Sequence, residues 1–315
     1  MNTSQPPASL SRRHFVSTAL GAAMSTQLAH CAVVPGLTGG SIDAHVHVWT
    51  PDAEKYPLAA GYAKKDMAPA SFTPEQLFAH CRPEGVTRIT LIQMSYYRFD
   101  NRYMLDSMAA HPGVFSGVAI IDENAADVRG RMKDLAKQGV RGFRLNPGKQ
   151  SVDAWLGSPG MAEMWKVGAE EGLSMCLLIN PETLAAVDKM CIKYPQTPVV
   201  IDHFARIGMA GAVSRAHLDR LRHLATHAKA HVKTSAFYAL GQKKAPYLDM
   251  GPMIRELRDS FGAERLMWAS DCPFQVDAGH TYHDSIALIR DRLDFLSASD
   301  KAWMLRKTAE KVFFS

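Results

Sequence analysis

The sequence is poor in several features that would assign a chain to a class at once. Cysteine occurs five times in 315 residues, at positions 31, 81, 176, 191 and 272. The count is odd, the spacing is irregular and no Cys-x-x-Cys occurs, which argues against a disulfide framework and against a thiolate zinc site. Excess charge of one sign is also scarce: 36 Lys and Arg against 31 Asp and Glu leave +5. Basic residues gather only in short groups such as Lys64-Lys65 and Lys243-Lys244, so nucleic-acid binding is not expected. The apolar, small-residue stretch from Ser17 to Leu28 is too short to cross a bilayer by itself. No Gly-x-Gly-x-x-Gly follows the first apolar strand pattern, which removes the dinucleotide-binding fingerprint. No low-complexity tract or linker appears after residue 40, so one domain is expected over 41–315.

What is present begins with an N-terminal signal pattern. Residues 11–16 read Ser-Arg-Arg-His-Phe-Val and precede that short apolar stretch. The arrangement resembles a twin-arginine export signal, an address read by export machinery and not an anchor. Residues 1–35 are therefore expected to be a signal and linker, cleaved between Ala29 and Pro35, with the chain delivered to the periplasm or secreted. Leu28-Ala29-His30-Cys31 faintly resembles a lipoprotein box, but His30 is too large beside the cysteine, and lipid anchoring is not expected.

From residue 42 short β-branched runs alternate with amphipathic segments. Strands are predicted over 42–48, 88–94, 114–121, 140–146, 173–179, 198–202, 231–235 and 265–270. Helices are predicted over 74–82, 101–110, 124–138, 160–171, 182–193, 214–229, 247–261, 283–296 and 298–312. Thr73-Pro74-Glu75 and Asn180-Pro181-Glu182 read as helix starts, and Gly139 as a helix stop. Eight strand–helix repeats predict an α/β fold of the closed (β/α)8 TIM-barrel type, with an open doubly wound sheet as the alternative.

In such a barrel the chemistry stands at the C-terminal ends of the strands. There the sequence puts His45 and His47, two apart on strand 1 and so on one face; Gln93 and then Tyr96, Tyr97, Arg98 and Asp100; Asp122; Arg141, Arg144 and Asn146; Asn180; Asp202-His203 and Arg206; Lys233 and Ser235; and Ser270-Asp271. Polar side chains from separate strands fill a core poorly, so their convergence points to a site. Arg141 and Arg144 have opposite parity, and Arg144, nearer the strand end, is the better candidate to face inward. Asp202 is expected on the face opposite His203, and Asp43 deeper in the barrel, where it can orient a histidine.

Asp43-Ala-His-Val-His47, Ile201-Asp-His-Phe-Ala-Arg206 and Trp268-Ala-Ser-Asp-Cys-Pro-Phe274 resemble the amidohydrolase superfamily. With Ser95-Tyr-Tyr-Arg-Phe-Asp-Asn-Arg-Tyr-Met-Leu105 and Gly139-Val-Arg-Gly-Phe-Arg-Leu-Asn146, the similarity narrows to its lactonase-like branch, over about residues 41–314. That branch includes 2-pyrone-4,6-dicarboxylate and sugar-acid lactonases. The resemblance implies a (β/α)8 barrel and hydrolysis of a lactone or ester. Arg144, Asn146 and Asn180 stand where two-metal members carry ligands, so a bridged pair of metals is not expected. His45, His47, His203 and Asp271 remain as ligands for a single zinc, and the branch also includes enzymes that need no metal.

Lactone hydrolysis needs a base for water, a donor for the oxyanion and a grip on the substrate. Asp271 is the expected base. His45, His47 and His203 are expected to polarise the carbonyl, directly or through a metal. Arg98, Arg141, Arg144 and Arg206, with Tyr97 and Asn180, are expected to bind the substrate, a small anionic or polyhydroxylated molecule. Trp49 and Tyr96 are further candidates for the pocket wall. A metal-dependent decarboxylase and a non-catalytic sugar-acid-binding barrel are the competing readings.

Overall fold

All eight predicted strands form, in a computed structural model that describes residues 39–147 and 151–315. The export-signal and lipid-anchor readings at 1–35 lie outside the described residues. The strands are β1 Ser41–Val46, β2 Val86–Ile92, β3 Phe115–Ala119, β4 Val140–Leu145, β5 Ser174–Leu177, β6 Val199–Ile201, β7 Ala230–Thr234 and β8 Leu266–Trp268. They pair in parallel in sequence order, which rules out the doubly wound alternative. Beyond β8 the chain closes the ring on β1: Asp271 N donates to His45 O and His47 N to Cys272 O, each at 2.9 Å. The fold is a (β/α)8 barrel.

The helices are α1 Pro74–Cys81, α2 Arg102–Ala110, α3 Val128–Lys137, α4 Val152–Leu156, α5 Pro159–Glu171, α6 Leu184–Lys193, α7 Arg215–His223, α8 Gly251–Phe261, α9 Tyr282–Ala287, α10 Ala298–Ala302 and α11 Thr308–Phe313. Thr73 caps α1 in a reciprocal capping box with Gln76. Gly139, at φ +94°, supplies the left-handed turn after α3. The long helices expected over 283–296 and 298–312 are interrupted where 288–292 and 303–307 widen into π-turns. No helix among the described residues is long and apolar enough to cross a membrane.

Two cores result. The larger lies between strands and helices. The smaller fills the barrel itself, where Ile42, Ala44, Ile92, Val118, Val200 and Met267 meet Phe313 of α11. The last helix thus plugs the N-terminal end of the barrel, and the strand C-termini are left as the open end.

Candidate active site

β1 is buried along its whole length, and its ladder with β2 slips between Asp43 and Val46. The slip coincides with the turn of His45 and His47 toward one another: their Nε2 atoms are 3.2 Å apart. His203 comes in from β6, with its ring centroid 4.4 Å from that of His45. Asp271 follows β8, and its Oδ1 lies 3.5 Å from His45 Nε2 and 3.6 Å from His47 Nε2. Its Oδ2 lies 3.7 Å from His203 Nε2. The four strand-end residues singled out in the sequence therefore meet, all nearly closed off from solvent.

The hydrogen bonds behind the rings constrain their protons. His47 Nδ1 bonds the Ile92 carbonyl at 2.9 Å, so Nδ1 carries the hydrogen and Nε2 offers a lone pair to the cavity. His203 Nδ1 pairs with Ser235 Oγ at 2.8 Å. Behind His45 Nδ1 stand the Lys233 ammonium at 3.2 Å and Asp202 Oδ1 at 3.4 Å, themselves ion-paired at 3.0 Å. With Lys233 as donor, the His45 proton sits on Nε2 and is shared with His47. With Asp202 as acceptor, it sits on Nδ1 and frees Nε2 as a ligand.

Burial pushes all three imidazoles below the ordinary histidine range, helped at His45 by Lys233 and at His47 and His203 by Arg144. Burial alone would raise the Asp271 carboxyl. The electrostatic pull of the surrounding histidines, His203 first, outweighs it and holds Asp271 far below the usual carboxylate range. The same balance holds Asp202 down, with Lys233 the chief opponent of its burial.

Arg144 reaches the cluster, with Nη1 3.3 Å from His47 Nε2. It borders both a cavity of about 240 Å³, shared with His203, Arg206, Tyr238 and Asp271, and an adjoining one of about 1000 Å³. Arg206 is held by Asn180 Oδ1 at 3.2 Å, so Asn180 stands at the start of the helical turn Pro181–Thr183 as expected, but its side chain positions an arginine and makes no capping bond. Arg98 is exposed on the larger cavity.

Two of the expected substrate contacts are not brought to the site. Arg141 has the opposite parity to Arg144 and bonds the carbonyls of Ala136 and Val140 at the closed end of the barrel. Tyr97 is buried, and its hydroxyl is engaged by the Thr50 backbone. Trp49 and Tyr96 likewise pack, bonding the Pro69 and Asp66 carbonyls. Asp43 does not orient an imidazole. It ties the β1–β8 seam by accepting from the backbone N–H of His45 at 3.2 Å and of Ser270 at 2.9 Å, and from Tyr282 Oη at 2.7 Å. Asp202 does not face away from the site, because β6 ends at Ile201 and strand parity stops there. His203, Phe204, Ala205 and Arg206 all take left-handed φ between 50° and 59°.

Two residues had no role assigned by their place in the sequence. Lys233 is a charged side chain in a buried strand, which is itself a signal. Tyr238, in the loop after β7, donates to Asp271 Oδ2 at 2.7 Å. Its only hint was its nearness to a strand end.

Among the described residues, His45, His203 and Asp271 bring ligand atoms within 4.8 Å of one another. Two imidazole nitrogens and a carboxylate, with His47 alongside, are a donor set suited to one divalent ion.

Comparison with known proteins agrees with this geometry. The family model described as Amidohydrolase matches residues 42–314. An L-fucono-1,5-lactonase of Burkholderia ambifaria is 29% identical over 243 residues, covering 76% of this chain and 82% of the relative. A 2-pyrone-4,6-dicarboxylate hydrolase of Comamonas testosteroni is 27% identical over 259 residues, covering 79% and 82%. A solved Pseudomonas putida structure, provisionally named a 2-pyrone-4,6-dicarboxylic acid hydrolase, superposes with a TM-score of 0.74 at 25% identity over 88% of this chain and 98% of that one.

Proposed function

The chain belongs to the amidohydrolase family, and from that premise we propose that it is a lactonase acting on a lactone that bears a carboxylate. The observation that carries the reading is a buried carboxylate, Asp271, within 3.7 Å of the Nε2 atoms of three imidazoles at a cavity bordered by two arginines. The lactone hydrolysis named for the relatives supports the same chemistry.

Water attacks the carbonyl carbon as Asp271 takes its proton. The carbonyl oxygen becomes an oxyanion beside the Arg144 guanidinium, a donor set in place before reaction. Collapse breaks the ring C–O bond, and Asp271 returns the proton to the departing ring oxygen. Arg206, steadied by Asn180, is suited to the substrate carboxylate. A divalent ion, if bound, would be held by His45, His203 and Asp271, with His47 beside them, and would add Lewis-acid polarisation of the carbonyl. The Ser11-Arg-Arg-His-Phe-Val16 stretch alone supports the proposal that the enzyme is exported by the twin-arginine route.

A panel of carboxylated lactones followed by pH-stat, with and without added zinc, tests the reading. Acid release is expected, and Asp271→Asn should reduce kcat by about 10²–10⁴ while the fold survives. Undiminished turnover in Asp271→Asn would remove the base. Release of carbon dioxide in place of ring opening would replace lactonase by decarboxylase.

A further inference from the structure

The larger cavity is much roomier than the chemistry requires, and its walls are largely apolar. Met94, Ile121, Leu145, Trp155, Met161 and Phe274 line it, and it opens onto the reacting centre through His47 and Arg144. Among the described residues, the charged side chains lining it away from that opening are one cation and one acid, Arg98 and Glu123, whose charges offset. Among the described residues the unbalanced positive charge therefore stands at the inner end, with Arg144 and Arg206.

The rim repeats the pattern. Among the described residues, five large hydrophobic side chains are exposed, and three of them border these two cavities: Tyr62 at 37%, Phe99 at 42% and Met209 at 48%. Apolar surface gathered around a concavity is surface a ligand covers. A sugar lactone would set most of its hydroxyl groups against side chains such as Met161 and Phe274, which offer no hydrogen bond in place of water, because Ser95, Arg98, Glu123 and Asn146 make up the smaller part of the wall.

We propose, resting on the lactonase reading above, that the substrate is amphipathic: a carboxylate at the arginine end and an alkyl or aryl substituent in the larger cavity, in place of a polyhydroxylated chain. Each methylene buried there is worth roughly three- to fourfold in kcat/KM.

The test uses three δ-lactones with one carboxylate each, differing only in a hexyl, a methyl or a trihydroxypropyl substituent. The hexyl compound is expected to exceed the methyl compound in kcat/KM by roughly 50-fold or more, a deliberate discount on full burial of five methylenes. The trihydroxypropyl compound is expected to be no better than methyl. A trihydroxypropyl lactone opened as well as the hexyl one overturns the proposal. Trp155→Ala should shrink the hexyl-to-methyl ratio severalfold, and so should Phe99→Ser, an exposed position where folding is not at stake. A ratio unmoved in the folded variants would take the substituent out of this cavity. Calorimetric binding of the matching lactams, which cannot be opened as esters, separates the two readings. Preferential binding of the hexyl lactam without turnover of any lactone would leave the cavity assignment standing and remove the lactonase. Preferential binding of the trihydroxypropyl lactam overturns the cavity assignment whatever the turnover.

Discussion

Lys233 is a fully buried cation whose ammonium sits 3.0 Å from Asp202 Oδ1, 3.2 Å from His45 Nδ1 and 5.3 Å from the centre of the Phe313 ring. It joins the plug at the closed end of the barrel to the imidazoles at the open end. Removing one partner of a buried pair leaves the other as an uncompensated charge, at a cost of about 3–5 kcal/mol. Lys233→Met should therefore lower unfolding free energy by about that amount, read from the denaturant midpoint. Adding Asp202→Asn should recover part of the loss, since the orphaned charge is then gone. A single variant within about 1 kcal/mol of the parent would mean that the pair is not coupled as its distances imply.

The strands and most helix starts were legible in the sequence because period and capping are local properties. Thr73 announced α1, and alternation separated Arg144 from Arg141. Parity misled where backbone leaves the ladder: nothing in Asp202-His-Phe-Ala-Arg206 marks four successive left-handed residues, since none is glycine. That turn brings Asp202 and His203 to the same imidazole. Tyr238 was hidden for a related reason, since a loop residue has no period to read. Close approach between elements is also silent in the sequence. A Cβ on Gly160, in the first turn of α5, would stand 1.6 Å from the Glu123 carbonyl oxygen in the loop after β3. Backbone cannot yield as a flexible side chain can. Gly160→Ala should cost about 1–3 kcal/mol. It should also lower kcat/KM, because Glu123 and Met161 line the larger cavity. Gly172→Ala makes the comparison: its φ of +68° is strained but open space surrounds it, so about 1 kcal/mol is expected. Melting the two variants side by side checks the order, and a Gly160→Ala protein as stable as Gly172→Ala would show that α5 can move off the loop.

The whole barrel divides its labour along its axis: the α11 plug closes one end, and the histidines and Asp271 gather at the other. At the closed end His231, a buried imidazole on β7 two residues below Lys233 and so on the same strand face, lines a cavity of about 680 Å³ together with Arg141, Lys229, Glu264, Arg265 and Lys311. Burial pulls it from the ordinary histidine value of 6.5 to about 4, against the opposing hydrogen bond to the Lys229 carbonyl. In this window the unfolded chain binds a proton that the folded chain refuses, so folded stability declines as pH falls. The contribution is complete above pH 6.5 and is lost at about 1.4 kcal/mol per unit, some 3 kcal/mol in all by pH 4. Asp43 works in the other direction, since burial raises it to about 6 and the folded chain keeps a proton that the unfolded chain has given up. Asp43 thus opposes His231 in the parent protein's pH profile, while His45, His47 and His203, lowered by burial as well, add to it, and a difference measurement is needed. His231→Asn removes one titration and leaves Asp43 in place. The parent's stability relative to this variant, followed by denaturant unfolding from pH 7 to pH 4, should diminish steadily by about 3 kcal/mol. Parallel pH curves would mean that His231 is protonated in the folded barrel and that the cavity beneath it holds the water or charge to support it.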